Sequence, residues 1–105
     1  MARRPSPYRV ESSAATQASL REIIREAFQQ GIGDEVCRVA RRIMARLAAD
    51  PLIYGEPIHR LRHLKLEIRV AIESPLAVRY GVDPKRRVVY IKSFHFSGGS
   101  GMPES

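Results

Sequence analysis

One cysteine, Cys37, stands in the whole sequence, so no intramolecular disulfide can form and no cysteine-based metal site is available. No apolar run approaches the roughly 20 residues that a membrane-spanning helix needs. The opening stretch, MARRPSP, lacks the hydrophobic segment of a secretory signal, so a cytoplasmic protein without a membrane partner is expected. Also missing are a Gly-rich phosphate loop, an HExxH helix, paired metal-ligand spacings and any internal repeat. These absences argue against a nucleotide hydrolase or a conventional metalloenzyme, and neither a metal nor a cofactor is expected. Acidic residues are the scarce charge. Eleven Asp and Glu against eighteen Lys and Arg leave a net charge of +7 and a pI near 10.3.

That surplus suits a polyanionic partner such as RNA, DNA, a ribosome or an acidic protein, although a solubilising surface carries the same signature. At 105 residues and 44% hydrophobic content the chain reads as one folded domain with a small core. Residues 1–7 form a basic, proline-punctuated tail, 8–96 the domain and 97–105 a small polar tail.

The strongest pattern runs from Leu64 to Phe96. Leu64, Leu66, Ile68, Val70 and Ile72 alternate with Lys65, Glu67 and Arg69, the period of a half-buried strand. Leu76, Val78, Tyr80 and Val82 alternate with Ala77, Arg79 and Gly81 in the same way. Val88 to Phe96 is apolar at consecutive positions at its start and rich in β-branched and aromatic residues, which suits a strand covered on both sides in its first half. The breaks at Glu73-Ser74-Pro75 and Asp83-Pro84-Lys85-Arg86 are turns, too short for crossover helices, so an antiparallel meander is expected. On this reading Lys65, Arg69 and Arg79 share the uncovered face. Three cations on one face repel each other, a cost that an anionic partner relieves.

Ahead of the meander, Tyr8-Arg9-Val10-Glu11 is a short edge strand. Ser12, Ser13 and Thr16 are candidate caps for a helix whose apolar face is Leu20, Ile23, Ile24, Ala27 and Phe28, ended by Gly31. Asp34 is the expected cap of a second helix with the stripe Val36, Val39, Ala40, Ile43, Met44 and Leu47, stopped at Asp50-Pro51. Cys37 sits beside that stripe as a half-buried filler, and Arg38, Arg41, Arg42 and Arg46 lie away from it. Leu52 to Leu61 reads as an irregular connection. The expected architecture is α+β, in the order β-α-α-β-β-β, with a helical hairpin packed on one face of a small antiparallel sheet.

Three fragments in this order carry a further signal. They are Tyr8-Arg9-Val10-Glu11 with the helix behind it, Leu47-Ala48-Ala49-Asp50-Pro51 followed by Gly55-Glu56-Pro57-Ile58 and Leu61, and Val78-Arg79-Tyr80-Gly81-Val82-Asp83 followed by Val88-Val89-Tyr90-Ile91. Over about Tyr8 to Phe96 the sequence resembles the RelE/ParE superfamily of toxins from bacterial type II toxin–antitoxin pairs. Many of those toxins cut mRNA on the ribosome without a metal, whereas the ParE group inhibits DNA gyrase and cleaves nothing. The branch that resembles YoeB has a glutamate in this loop and a histidine near the C-terminus, which implies Glu56 as general base and His95 as general acid, and Arg79 and Arg69 on the meander are the candidates to stabilise charge on the phosphate. Lys65 on the uncovered face, Arg60 and Arg62 in the cationic segment HRLRH, and Lys92 are the candidate phosphate-binding residues, and the resemblance implies a cognate antitoxin as partner. Two positions depart from the pattern. Ala77 stands where the family has an arginine, with Arg79 two residues on, and Phe96 stands where it has a tyrosine. A non-cleaving ParE-like binder of gyrase or another protein, and a relative that only binds RNA, are therefore the alternatives. For His59 and His63, which flank Arg60 and Arg62, a cationic patch on RNA and an ordinary exposed loop are equally consistent.

Overall fold

The computed structural model describes residues 7–96, and the two tail assignments at 1–6 and 97–105 lie outside that range. The chain runs β1 (Arg9–Ser12), α1 (Ala14–Gln29), α2 (Gly33–Ala49), a one-turn α3 (Pro51–Tyr54), β2 (Glu56–Leu61), a single 3-10 turn (Arg62–Leu64), β3 (Leu66–Glu73), β4 (Leu76–Asp83) and β5 (Val88–Phe96). The five strands form one sheet in the order β1-β5-β4-β3-β2. β1 lies parallel to β5 and the other pairs are antiparallel. The α+β class and the helical hairpin on one face stand as expected.

Local chemistry places the helices. Ser13 caps α1, its Oγ accepting from the Thr16 N–H at 3.1 Å. Gly31, at φ +84°, turns the chain out of α1 in the left-handed conformation that glycine takes without a Cβ penalty. α2 is capped by Ile32 with no side-chain bond, so Asp34 is not the cap but an acidic residue of the first turn, favourable to the helix dipole there. Val36, Val39, Ala40, Ile43 and Leu47 of α2, with Ala27 of α1, form the core against Leu76, Val78, Tyr80 and Val82 of β4 and Val89, Ile91 and Phe94 of β5. Met44 and Phe28 stay exposed.

Three further expectations are corrected. Leu52 to Leu61 is not irregular: it supplies α3 and then β2, which pairs with β3 through a register shift between Pro57 and His59. Pro57 cannot donate to a ladder, so it is accommodated on an edge strand with a bulge. Second, β3 begins at Leu66, because Leu64 closes the 3-10 turn and Lys65 follows it in a left-handed conformation at φ 55°.

The third correction concerns which way β3 faces. Glu73 pairs with Leu76, so the turn is two residues, Ser74 and Pro75, with a cis peptide between them. A turn that included Glu73 would set Ile72 opposite Leu76 instead. One residue of slip moves every side chain to the other face. Glu67, Arg69, Ala71 and Glu73 therefore share the helix-covered face with Leu76, Val78, Tyr80 and Val82, while Ile68, Val70 and Ile72 share the other face with Ala77, Arg79 and Gly81. Lys65, Arg69 and Arg79 do not form one cationic face. Arg69 is 7% exposed on the covered side, and Lys65 is in the turn outside the strand.

Candidate active site

The sheet face left open by the helices gathers residues from four strands in cross-strand rows. Glu56 pairs with Val70, Val70 with Arg79, and Arg79 with Ser93, which places all four on the same face in one row. The row on one side of it holds Ile72, Ala77 and His95, and the row on the other side holds His59, Ile68, Gly81 and Tyr90. At about 4.8 Å per strand, Glu56 stands about 10 Å from Arg79 and about 14 Å from Ser93 along the row. Arg79 and His95 are exposed, and Ser93 Oγ lies 3.0 Å from His95 Nε2. With Nε2 engaged, Nδ1 is the ring nitrogen left to meet a ligand. Among the described residues the side chains of Glu56 and Arg79 have no hydrogen-bond or ion-pair partner.

The expected phosphate-binding residues divide. Arg60, Arg62 and Lys65 line a cleft of about 690 Å³ at the end of the sheet, joined there by Lys85, with Glu67 and Asp83 as its carboxylates. Arg60 is 3.7 Å from Glu67 and Arg86 is 3.8 Å from Asp83. Asp83 Oδ1 also accepts from the Arg86 N–H at 3.1 Å, the local bond expected of an aspartate before Pro84. Lys92 is apart from this cleft. It is the extra residue of the β5 bulge, where Tyr80 pairs with Ile91 and Arg79 with Ser93, and it is exposed. Phe96 pairs with Leu76 on the covered side, so it faces away from His95.

Arg69 belongs to a different set of bonds. On the covered face its Nη2 donates to the Gly55 carbonyl at 2.5 Å, and its Nη1 pairs with Glu67. Tyr80 Oη accepts from the Gly55 N–H at 2.9 Å and donates to the Pro51 carbonyl at 2.9 Å. Tyr54 Oη donates to Glu73 at 2.5 Å, and Arg42 reaches the same carboxylate at 3.3 Å. Burial pushes the Tyr54 phenol well up, and the Glu73 carboxylate raises it further. Burial also raises the Tyr80 phenol, against the Gly55 N–H and Arg69, which lower it. Sequence reasoning missed this network because its residues read as packing aromatics and a solvent-facing arginine. The signal available was that Arg69 and Tyr80 are brought opposite each other by a two-residue turn.

Among the described residues no cluster of His, Cys, Asp and Glu could hold a metal ion, and no helix is long and apolar enough to cross a membrane. No protein-family model matches the sequence, and no curated protein matches it. Among solved structures, the chain matches a chain of the toxin–antitoxin complex RelBE2 from Mycobacterium tuberculosis with a TM-score of 0.63 over 87% of this chain and 92% of that one, at 17% identity. At that identity the likeness is one of fold alone: the hairpin of helices on one face of a five-stranded sheet is an architecture shared with that chain of the complex.

Proposed function

We propose that this protein is a toxin of the RelE type that cleaves mRNA on the ribosome without a metal and is held in check by an antitoxin. The observation that carries this reading is the single open face on which Glu56, Arg79 and the Ser93–His95 pair line up across four strands. RNA cleavage by its own 2′-hydroxyl needs a base for that proton, an acid for the departing 5′-oxygen and positive charge at the phosphate. Glu56 takes the 2′ proton as the 2′-oxygen forms its bond to phosphorus. The bond to the 5′-oxygen then breaks, and that oxygen collects a proton from His95, leaving a 2′,3′-cyclic phosphate and a free 5′-hydroxyl. Arg79, between the two, neutralises the charge that builds on the non-bridging oxygens. The span of about 14 Å from Glu56 to Ser93 leaves room for a phosphate above Arg79 rather than for a direct Glu–His contact.

The cleft with Arg60, Arg62, Lys65 and Lys85 lies further along the same strands, and Lys92 lies on β5. These residues hold flanking phosphates, a sequence-independent contribution that weakens with salt. An antitoxin is the natural partner because the matched structure is a toxin–antitoxin complex. Ile53 and Ile72, 76% and 71% exposed, are apolar surface that such a partner would cover. An mRNA substrate places the protein in the cytoplasm.

Induced expression in a bacterial host, with growth, mRNA integrity and plasmid supercoiling followed together, tests this. Growth arrest with cut mRNA is expected. A second reading has its own observation: the residue directly opposite His95 is Ala77, which offers no cation. That favours a ParE-like inhibitor of DNA gyrase, and arrest with intact mRNA and altered supercoiling would establish it. Salt-sensitive RNA binding without arrest would leave an RNA-binding relative.

A further inference from the structure

Gly55 immediately precedes Glu56, and both of its backbone polar groups are held by side chains on the covered face. Arg69 of β3 takes the carbonyl at 2.5 Å and Tyr80 of β4 takes the N–H at 2.9 Å. Arg69 and Tyr80 are themselves paired across the two strands. Their next neighbours in sequence, Val70 and Arg79, stand in the open-face row with Glu56. The fit leaves no room at Gly55, where a Cβ would meet the Val70 carbonyl oxygen at 2.6 Å and the Tyr80 hydroxyl at 2.7 Å. The same hydroxyl also bonds the Pro51 carbonyl at 2.9 Å, tying the start of α3 to the start of β2.

We propose that Arg69 and Tyr80 are positioning residues for Glu56: from behind the sheet they fix the residue that launches β2, and with it the place of the Glu56 carboxylate beside Arg79. The inference rests on the reading of Glu56 as the general base. Packing alone gives no reason for this arrangement. A buried guanidinium is costly to desolvate, and Arg69 Nε has no hydrogen-bond partner among the described residues. An apolar residue of similar volume would fill the space without that cost, but it would leave the Gly55 carbonyl unheld. The Tyr80 hydroxyl donates to the Pro51 carbonyl while it accepts from the Gly55 N–H, so one group holds both ends of the turn between α3 and β2. A base displaced by about 1 Å loses on the order of 100-fold in rate, which makes such a clamp worth its cost.

The experiment is a double-mutant cycle with purified protein on ribosomes programmed with mRNA. Single-turnover cleavage, affinity for single-stranded RNA and thermal melting are measured for Tyr80→Phe, Arg69→Lys and Glu56→Gln, and for each of the first two combined with the third. Tyr80→Phe and Arg69→Lys are expected to slow cleavage by about 10- to 100-fold, with RNA affinity within about twofold and cooperative melting kept. In the Glu56→Gln background neither is expected to slow the residual rate further, because no base remains to be placed. Loss by the same factor in that background overturns the proposal, as does an unchanged rate in the single variants. Loss of cooperative melting in both variants also overturns it, since the pair would then be holding the fold. If the unmodified chain leaves mRNA intact, the cleavage reading fails instead, and backbone order decides the clamp. Tyr80→Phe should then drop the order parameter of the Glu56 amide toward the flexible range, below about 0.6, while Val78 and Val82 stay rigid. Unchanged order at Glu56 would overturn it.

Discussion

The two faces of β4 are built for opposite purposes. Toward the helices it presents Leu76, Val78, Tyr80 and Val82, each fully buried. Away from them it presents Ala77, Arg79 and Gly81, of which Arg79 is exposed and unpaired among the described residues. Its neighbour β3 inverts the usual allocation. Its covered side carries Glu67, Arg69 and Glu73, held by Tyr54, Arg42 and the Gly55 backbone, and its open side carries Val70 and the exposed Ile72. Hydrophobic pattern alone therefore does not tell which face of a strand is covered. The neighbouring strand and the length of the turn between them decide it. In this sheet the polar side of β3 is satisfied by Tyr54, Arg42 and the Gly55 backbone, and on its apolar side Ile68 is buried while Ile72 is left for something else to meet.

Paired substitutions separate the roles of the two faces most directly. Glu56→Gln and His95→Ala on the open face should each cut mRNA cleavage by about 100- to 10,000-fold, the usual contribution of a general base or acid. Both residues are exposed, so thermal melting should move little. A melting loss as large as the loss of cleavage would mean that the open face serves the fold. Leu76→Ala on the covered face should do the reverse. Leu76 is fully buried at the end of β4, and truncation should cost about 2–5 kcal/mol in denaturant unfolding from lost burial plus the cavity. A cost below about 1 kcal/mol would show that the helices do not close over that end of the sheet.

How much of this was legible follows the same division. β4 and, apart from the exposed Met44, the α2 stripe could be read straight off the sequence, because each has a period and a burial that agree. The parity that puts Arg79 and Ala77 on one face was also legible, and it survives whichever face that is. β2 was hidden because Gly55 and Pro57 signal a loop, and an edge strand with a bulge tolerates both. Arg69 was misplaced by a single residue of turn length, which no composition rule settles. Glu56 and His95 came only from the resemblance, since a lone glutamate before a proline and a histidine between phenylalanines have no periodic signature. The row that joins them exists only once all four strands are in register.

The covered polar network makes a smaller, pH-dependent prediction. An unfolded tyrosine ionises near pH 10. Burial, with Glu73 adding to it, raises the folded-state value of Tyr54 above that. The folded chain then holds a proton that the unfolded chain has given up. The contribution to stability is full below about pH 10 and is lost as pH rises toward the folded-state value. Tyr54→Phe should flatten this alkaline limb in denaturant midpoints measured from pH 8 to 12. At neutral pH it should cost about 1 kcal/mol for the lost bond to Glu73. An identical limb in the variant would mean that Tyr54 is as exposed to solvent in the folded chain as in the unfolded one.

The smallest effect is expected four residues before Leu76, on the other face. Ile72 is 71% exposed and stands opposite Ala77, which in turn stands opposite His95. Ile72→Ser removes apolar surface that the isolated chain does not bury, so melting should stay within about 0.5 kcal/mol of the unmodified chain at any protein concentration. A loss above about 1 kcal/mol that grows with protein concentration would show that this face is already covered by a second copy, because only an associating species makes melting depend on concentration. The open face would then be an interface first, and RNA would reach Arg79 and His95 only when that interface parts.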